Sequence, residues 1–244
     1  MDMILLDWTR MGKTYCIAGT VFENGRYRVV RPLMTKHRAT AVRNVGWSAY
    51  LLDGHARWEV FELIGAEPAE PQPPHVEDLW VRAMLPRRRL VAPEQRRAIL
   101  QATTVPLNEA IFGAAFSTTR TAAFLQPGSG ERSLATVVAP ADQLSFSGCR
   151  RGGAPEPDFR VSLPLPGVGI RSLPVKDHHL LRHIEAAAKP VDEQVRALTA
   201  SVRQMGAQVA IRLGLSRGFQ TGEGSNVLCW LMADGFFSLA DPQP

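Results

Sequence analysis

The sequence predicts an all-β or β-rich α+β protein. Short runs rich in β-branched and aromatic residues recur along the chain, separated by Gly, Pro, Asn and Ser. Both halves carry hairpin patterns, and only a few stretches show the apolar spacing of a helix. With 244 residues the chain is about twice the size of a small five-stranded barrel and can bury an ample core. Its 45% hydrophobic and 21% charged residues are those of an ordinary globular protein.

The first runs are MILLDW, TYCIAGTVF and RYRVVRP. Between the first two, Gly12-Lys13-Thr14 has the letters of a phosphate-cradling loop. Such a loop needs a glycine five residues upstream, where Asp7 stands, and a helix directly after it. TYCIAGTVF leads instead to Asn24-Gly25 and RYRVV, and Asn-Gly between such runs specifies a two-residue hairpin turn. No helix N-terminus is then available to phosphate. The hairpin sets Glu23 opposite Arg26, Phe22 opposite Tyr27, Val21 opposite Arg28 and Thr20 opposite Val29. The charged and aromatic pairs each contribute on the order of 0.2–1 kcal/mol. Arg26 and Arg28 are expected on one face beside Tyr15, either as a platform for phosphate and base or as an ordinary solvated face.

A strand is expected within 56–68, then a proline-rich loop, AEPAEPQPPHVED. Residues 82–97 hold six arginines, Arg87, Arg88 and Arg89 among them, against one acid, Glu94. That density suits phosphate, and equally a solvated, charge-rich linker. Proline and an acid at Pro93-Glu94 mark a helix start that runs through RRAILQA. A second helical piece is expected at 107–112.

In the second half, RTAAFLQ and RSLATVVAP flank Pro127-Gly128-Ser129-Gly130 and predict a second hairpin. DFRVSLPLP and GIRSLPVKD flank Gly167-Val168-Gly169 and predict a third. HHLLRHIEAAA reads as a helix with Asp177 as N-cap, and Lys189-Pro190 ends it. A further helix carries its apolar stripe on Val191, Val195, Leu198, Val202 and Met205. QVAIRLGLSR and NVLCWLMADGFF are the closing strands. Alternation turns Val209, Ile211, Leu213 and Leu215 inward and leaves Arg212 outward, with Arg217 at the mouth of the loop GFQTGEGSN. Trp230, on the returning strand, is either core or a partner on the Arg212 face. A domain boundary is expected between 103 and 119, giving domains 1–112 and 113–244.

The net charge of +5 and pI near 9.5 favour an anionic partner. The excess is arginine, 24 Arg against 4 Lys. Cys16, Cys149 and Cys229 are scattered and odd in number, as expected of reduced, buried thiols in a cytoplasm. No apolar run reaches membrane-spanning length, and MDMILLD lacks a signal-peptide pattern, so a cytoplasmic chain without membrane contact is expected.

Catalytic signals are sparse. His179 and His183 are one helical turn apart beside His178, yet the glutamate of a zinc helix is replaced by Leu180. Ser216 lacks an elbow motif, and strand cysteines such as Cys16 and Cys229 are ordinarily core. The expectation is no catalytic residue, no metal and no cofactor. Nucleic-acid contact is expected from Arg10, Lys13, Arg26, Arg28, Arg87, Arg88, Arg89, Arg212 and Arg217, with Tyr15 or Trp8 as the stacking residue.

Several fragments together are similar to bacterial dual OB-fold (DuOB) domain proteins. These are ILLDWTRMGKTYCIAG with RVVRP, SLATVVAPADQLSFSG, LPVKD at 173–177, and LGLSRGF with CWLMADGFF. Lys176 stands where that family has threonine, and the opening loop has one glycine where the family has a pair. The resemblance implies two OB-like small barrels; the helical pair over about 177–206, read from its own residues, is then inserted before the last two strands. It implies nucleic-acid binding, DNA or RNA, single-stranded or structured, without catalysis. It also suggests a place in a bacterial defence or DNA-processing assembly; a protein partner encoded by a neighbouring gene is a further expectation. The alternative is a scaffold that docks a partner enzyme without touching nucleic acid; a small hydrolase or nuclease ranks third.

Overall fold

A computed structural model describes residues 1–11, 14–34, 47–48, 54–150, 156–185, 189–220 and 226–240. The first half builds a seven-stranded sheet from β1 (Asp2–Met11), β2 (Thr14–Glu23), β3 (Arg26–Met34), β4 (Glu59–Ile64), β5 (Glu67–Pro68), β6 (Asp78–Val81) and β7 (Ala83–Leu90). Its order is β5-β6-β3-β2-β1-β4-β7. The β2–β3 hairpin has the expected register, with Glu23 opposite Arg26 and Phe22 opposite Tyr27. Asn24 at φ 51° and Gly25 at φ 78° make the turn, a conformation that Asn and Gly adopt at low cost. The Phe22 and Tyr27 rings lie 5.0 Å apart. β3 also pairs in parallel with β6, which brings Arg31 beside Asp78.

The arginine-rich stretch is not a linker. It forms β7, antiparallel to β4, at one edge of the sheet, with residues 85–90 exposed. Charge on an edge strand discourages pairing with another chain. Arg88 adopts φ 51° and the β4–β7 register shifts near it.

α1 (Pro93–Thr103) starts as predicted, with Pro93 in its first turn. Residues 107–112 form turns instead of a helix, although Ile111 and Phe112 are buried. The second half contains β8 (Ser117–Thr118), β9 (Ala123–Leu125), β10 (Leu134–Pro140), β11 (Ser145–Cys149), β12 (Asp158–Leu165) and β13 (Gly169–Pro174). It continues with α2 (His178–Glu185), α3 (Val191–Gln204), β14 (Gln208–Leu215) and β15 (Cys229–Ser238). The strands order as β10-β14-β15-β9-β8 and β11-β12-β13. β12 and β13 form the expected hairpin around Gly167 and Gly169, both at positive φ. The hairpin expected over 120–140 does not form. β9 pairs with β8 and β15, and β10 pairs with β14.

The chain is therefore β-rich, with curled sheets that form OB-like half-barrels. The helical pair α2–α3 precedes the last two strands, as expected. Asp177 caps α2, its Oδ1 accepting the Leu180 N–H at 2.9 Å. The α3 stripe buries Leu198 and Val202 and half-buries Val195 and Met205. One core fills the first half around Met3, Ile17 and Phe61, and a second fills the other half around Phe159, Leu198 and Ile211. A third joins them: Ile4, Leu6, Trp58, Ile99 and Leu100 pack with Ala210 and Phe237.

Candidate functional site

β14 was expected to show one face to solvent, but both of its faces are covered. Val209, Ile211 and Leu213 enter the second core, while Ala210 enters the joining core. Arg212 therefore points at the first half and is 0% exposed. Its Nε and Nη2 donate to Asp7 Oδ1 and Oδ2 at 3.0 and 2.7 Å, and Nη1 donates to Thr136 Oγ1 at 3.0 Å. Asp7 and Arg212 each lie where the strand register shifts. Bulges re-aim side chains in this way.

Asp7 also lies in the wall of a cleft of about 550 Å³ lined by both halves. The first half contributes Asp7, Thr9, Arg10 and Met11 from β1, Thr14 and Cys16 from β2, and Arg31 from β3. The second contributes Lys176, residues 215–220, and Met232 and Asp234 from β15. The volume is that of a small-ligand site. Contact between the halves is backbone-deep: the Arg10 N–H donates to the Lys176 carbonyl, and Thr9 bridges to Asp177.

A charged chain supports one side. Buried Arg31 donates from Nε to Asp78 Oδ1 at 2.7 Å, and Arg217 donates from Nη2 to Asp78 Oδ2 at 2.6 Å. Arg31 Nη2 also lies 2.7 Å from His75 Nδ1. Burial, with Arg31 and Arg217 close by, lowers His75 to about 2, so the ring stays neutral. Nδ1 then accepts from Arg31, and Nε2 carries the proton.

Two further cleft groups have shifted acidity. Burial pushes the Cys16 thiol up to about 11, which removes it as a nucleophile near neutral pH. Burial, and then Asp7, raises the Asp234 carboxyl to about 7. Asp234 is 4% exposed, and its Oδ1 has no hydrogen-bond partner among the described residues.

The rim carries cations and one open aromatic ring. Arg10 pairs with Glu156 and lies 3.6 Å from Glu185. Lys176 is half-buried and forms no ion pair among the described residues. Phe219 is 44% exposed; its backbone pairs with Leu228 on the far side of the loop, at 3.1 and 3.2 Å. Behind it Trp230 is half-buried, 6.5 Å from the Phe219 ring and 5.1 Å from Phe124.

The expected contact residues thus separate into groups. Arg10 and Arg217 line the cleft. Lys13 lies outside the described residues, between Met11 and Thr14, which both line it. Arg212 is buried in an ion pair and does not face solvent. Trp8 and Tyr15 are 2% and 9% exposed and belong to the core, where they pack on His178 and on each other. Tyr15 is therefore not beside Arg26 and Arg28. Arg26 is exposed at the hairpin turn, and Arg28 pairs with Glu23 at 2.9 Å. Arg87 pairs with Glu62 at 3.0 Å, and Arg88 and Arg89 are exposed on β7. Arg89 lines a separate depression of about 510 Å³ with Phe22 and Leu90. Cys16 is half-buried, Cys229 buried and Cys149 exposed, so Cys149 does not match the expectation of buried thiols.

Lys176, Phe219 and Asp234 were not singled out from sequence. Lys176 was visible only as a departure from the family pattern. Among the described residues, no group of three or more His, Cys, Asp or Glu could hold a metal, and no helix is long and apolar enough to cross a membrane. Compared with known proteins, the chain matches no family model and no curated protein.

Proposed function

We propose that the cleft between the half-barrels binds nucleic acid, without catalysis, as part of a bacterial defence or DNA-processing assembly. One observation carries the reading: Lys176, Arg10 and Arg217 share a cleft with the exposed ring of Phe219. Cations that take phosphates beside an aromatic ring that stacks a base are the means by which single strands are held without sequence preference. Lys176 is free to meet a phosphate without breaking an ion pair among the described residues. Arg10 and Arg217 exchange carboxylate for phosphate, a geometry the guanidinium fork suits equally. The OB-like curl of the sheets and the resemblance to dual OB-fold proteins point the same way.

The test is a fluorescence-anisotropy titration with labelled single- and double-stranded DNA and RNA at two salt concentrations. Binding that weakens as salt rises is expected, because released counterions drive it. The Lys176→Ala/Phe219→Ala double variant should lose most of the affinity while keeping the wild-type circular dichroism spectrum. Absence of binding at low salt overturns the reading and leaves the partner-docking scaffold.

A further inference from the structure

Asp234 lies in the cleft at 4% exposure, its Oδ1 without a hydrogen-bond partner among the described residues. Its carboxyl has room only because residue 214 is glycine: a Cβ there would sit 1.8 Å from Asp234 Oδ2. Charged groups reach it from each neighbouring element. Asp7 of β1 and Asp177, ahead of α2, oppose its ionisation, while Arg212 of β14 and Arg31 of β3 favour it. Both guanidiniums are already committed, Arg212 to Asp7 and Arg31 to Asp78. The Cys16 thiol of β2 is neutral near pH 7. Lys176 and Arg217 line the same cleft, and the Lys176 N–H donates to the carbonyl of Ala233, the residue before Asp234.

We propose that the cleft takes up its phosphate-bearing ligand together with one proton, which Asp234 accepts. The inference rests on the nucleic-acid reading and deepens it. A phosphate on Lys176 and Arg217 places negative charge in a confined cleft that already holds the Asp234 carboxyl, in no ion pair among the described residues. Like charges in such a site are not both kept ionised, and the weaker acid takes the proton. The proton comes from solvent and forms an O–H bond on Asp234; no bond of the ligand changes. By linkage, binding tightens as pH falls through about 7, where Asp234 titrates. His75 does not contribute, since it is neutral over this range.

The test is the affinity for a tetramethylrhodamine-labelled oligothymidylate between pH 5.5 and 8.5 at constant ionic strength. Neither the probe's bases nor its internal phosphates titrate in that range. Wild-type affinity should be roughly fivefold higher at pH 6 than at pH 8 if the ligand raises the carboxyl by about one unit. Asp234→Asn should bind tightly and without this dependence. Calorimetry of the wild type at pH 7.5, in two buffers of unlike ionisation heat, should report uptake of a fraction of a proton on binding, and it decides the matter even if the variant misfolds. A pH-independent wild-type affinity, an unchanged profile in Asp234→Asn, or zero proton uptake overturns the proposal but leaves the nucleic-acid reading intact. A chain that binds no oligonucleotide at any pH overturns that reading itself.

Discussion

Arg212 and Asp7 stand 205 residues apart in sequence and meet in a two-armed ion pair, with Nε to Oδ1 at 3.0 Å and Nη2 to Oδ2 at 2.7 Å. The pair joins the second half of the chain to the first beneath the cleft. Removing one partner strands a buried charge, a loss of about 3–5 kcal/mol. Asp7→Ala should therefore lower the urea midpoint strongly, whereas Asp7→Leu/Arg212→Met should recover much of it. A double variant no more stable than the single one would contradict this account.

Phe219 and Trp8 are both aromatic, but the fold leaves Phe219 exposed at the cleft and buries Trp8 in the core. Phe219→Ala should weaken oligonucleotide binding by about 1–3 kcal/mol with little change in stability. Trp8→Ala should cost about 3–5 kcal/mol of stability, and Trp8→Phe should retain wild-type affinity. Equal binding losses in Phe219→Ala and Trp8→Phe would place the stacking surface elsewhere.

Lys176 and Arg26 are predicted to differ in salt response. Lys176→Ala should flatten the plot of log affinity against log salt by about 0.7 for a single strand, the value of one lost phosphate contact. Arg26→Ala, at the hairpin turn, should leave the slope unchanged. A slope lost in Arg26→Ala alone would move the interface to the β2–β3 hairpin.

The acidity of Asp234 also predicts a stability profile. Its folded value of about 7 lies above the ordinary 3.8, so its stabilising effect is fully present below 3.8 and lost as pH rises through about 7. Asp234→Asn should match the wild type near pH 4 and exceed it at pH 8, as read by urea midpoints. A constant difference between the two proteins across that range would show that the carboxyl does not titrate as described.

His75 should behave oppositely. With a folded value near 2 against the ordinary 6.5, its stabilising effect is present above 6.5 and fades as pH falls toward 2. Nitrogen-15 shifts of the His75 ring should report one neutral tautomer, protonated on Nε2, from pH 5 to 8. A midpoint near 6.5 would mean that Arg31 does not hold the ring.

Much of the fold was legible where local chemistry decides it. Asn24-Gly25 fixed a register that the β2–β3 pairing reproduces residue by residue. Asp177 announced the start of α2, and the Val191–Met205 stripe gave the buried face of α3. Long-range pairing was less legible. RAMLPRRRL shows no alternation and carries Pro86, so nothing local identifies β7; its strand character comes from β4. β9 takes β15 as partner, with Leu125 opposite Cys229, so the turn at 127–130 closes no hairpin. At the candidate site, Arg10 and Arg217, which line the cleft, were legible as cations from charge and loop position. Arg212 was misdirected because alternation assumes one wet face, and the first half of the chain covers that face. Asp234 gave no sequence signal, because its acidity arises from burial and from Asp7, 227 positions away.

A second buried pair repeats the pattern of the first, with Arg57 Nη2 2.5 Å from Asp177 Oδ1, while Asp177 Oδ2 also accepts the Phe236 N–H. The two halves are thus not interchangeable modules. A fragment cut near residue 112 would carry Asp7 and Arg57 without counter-ions, and its complement would carry Arg212 and Asp177 likewise. Evolution or engineering that swaps one half for a foreign barrel must therefore bring matching charges at both seams, or abandon both together.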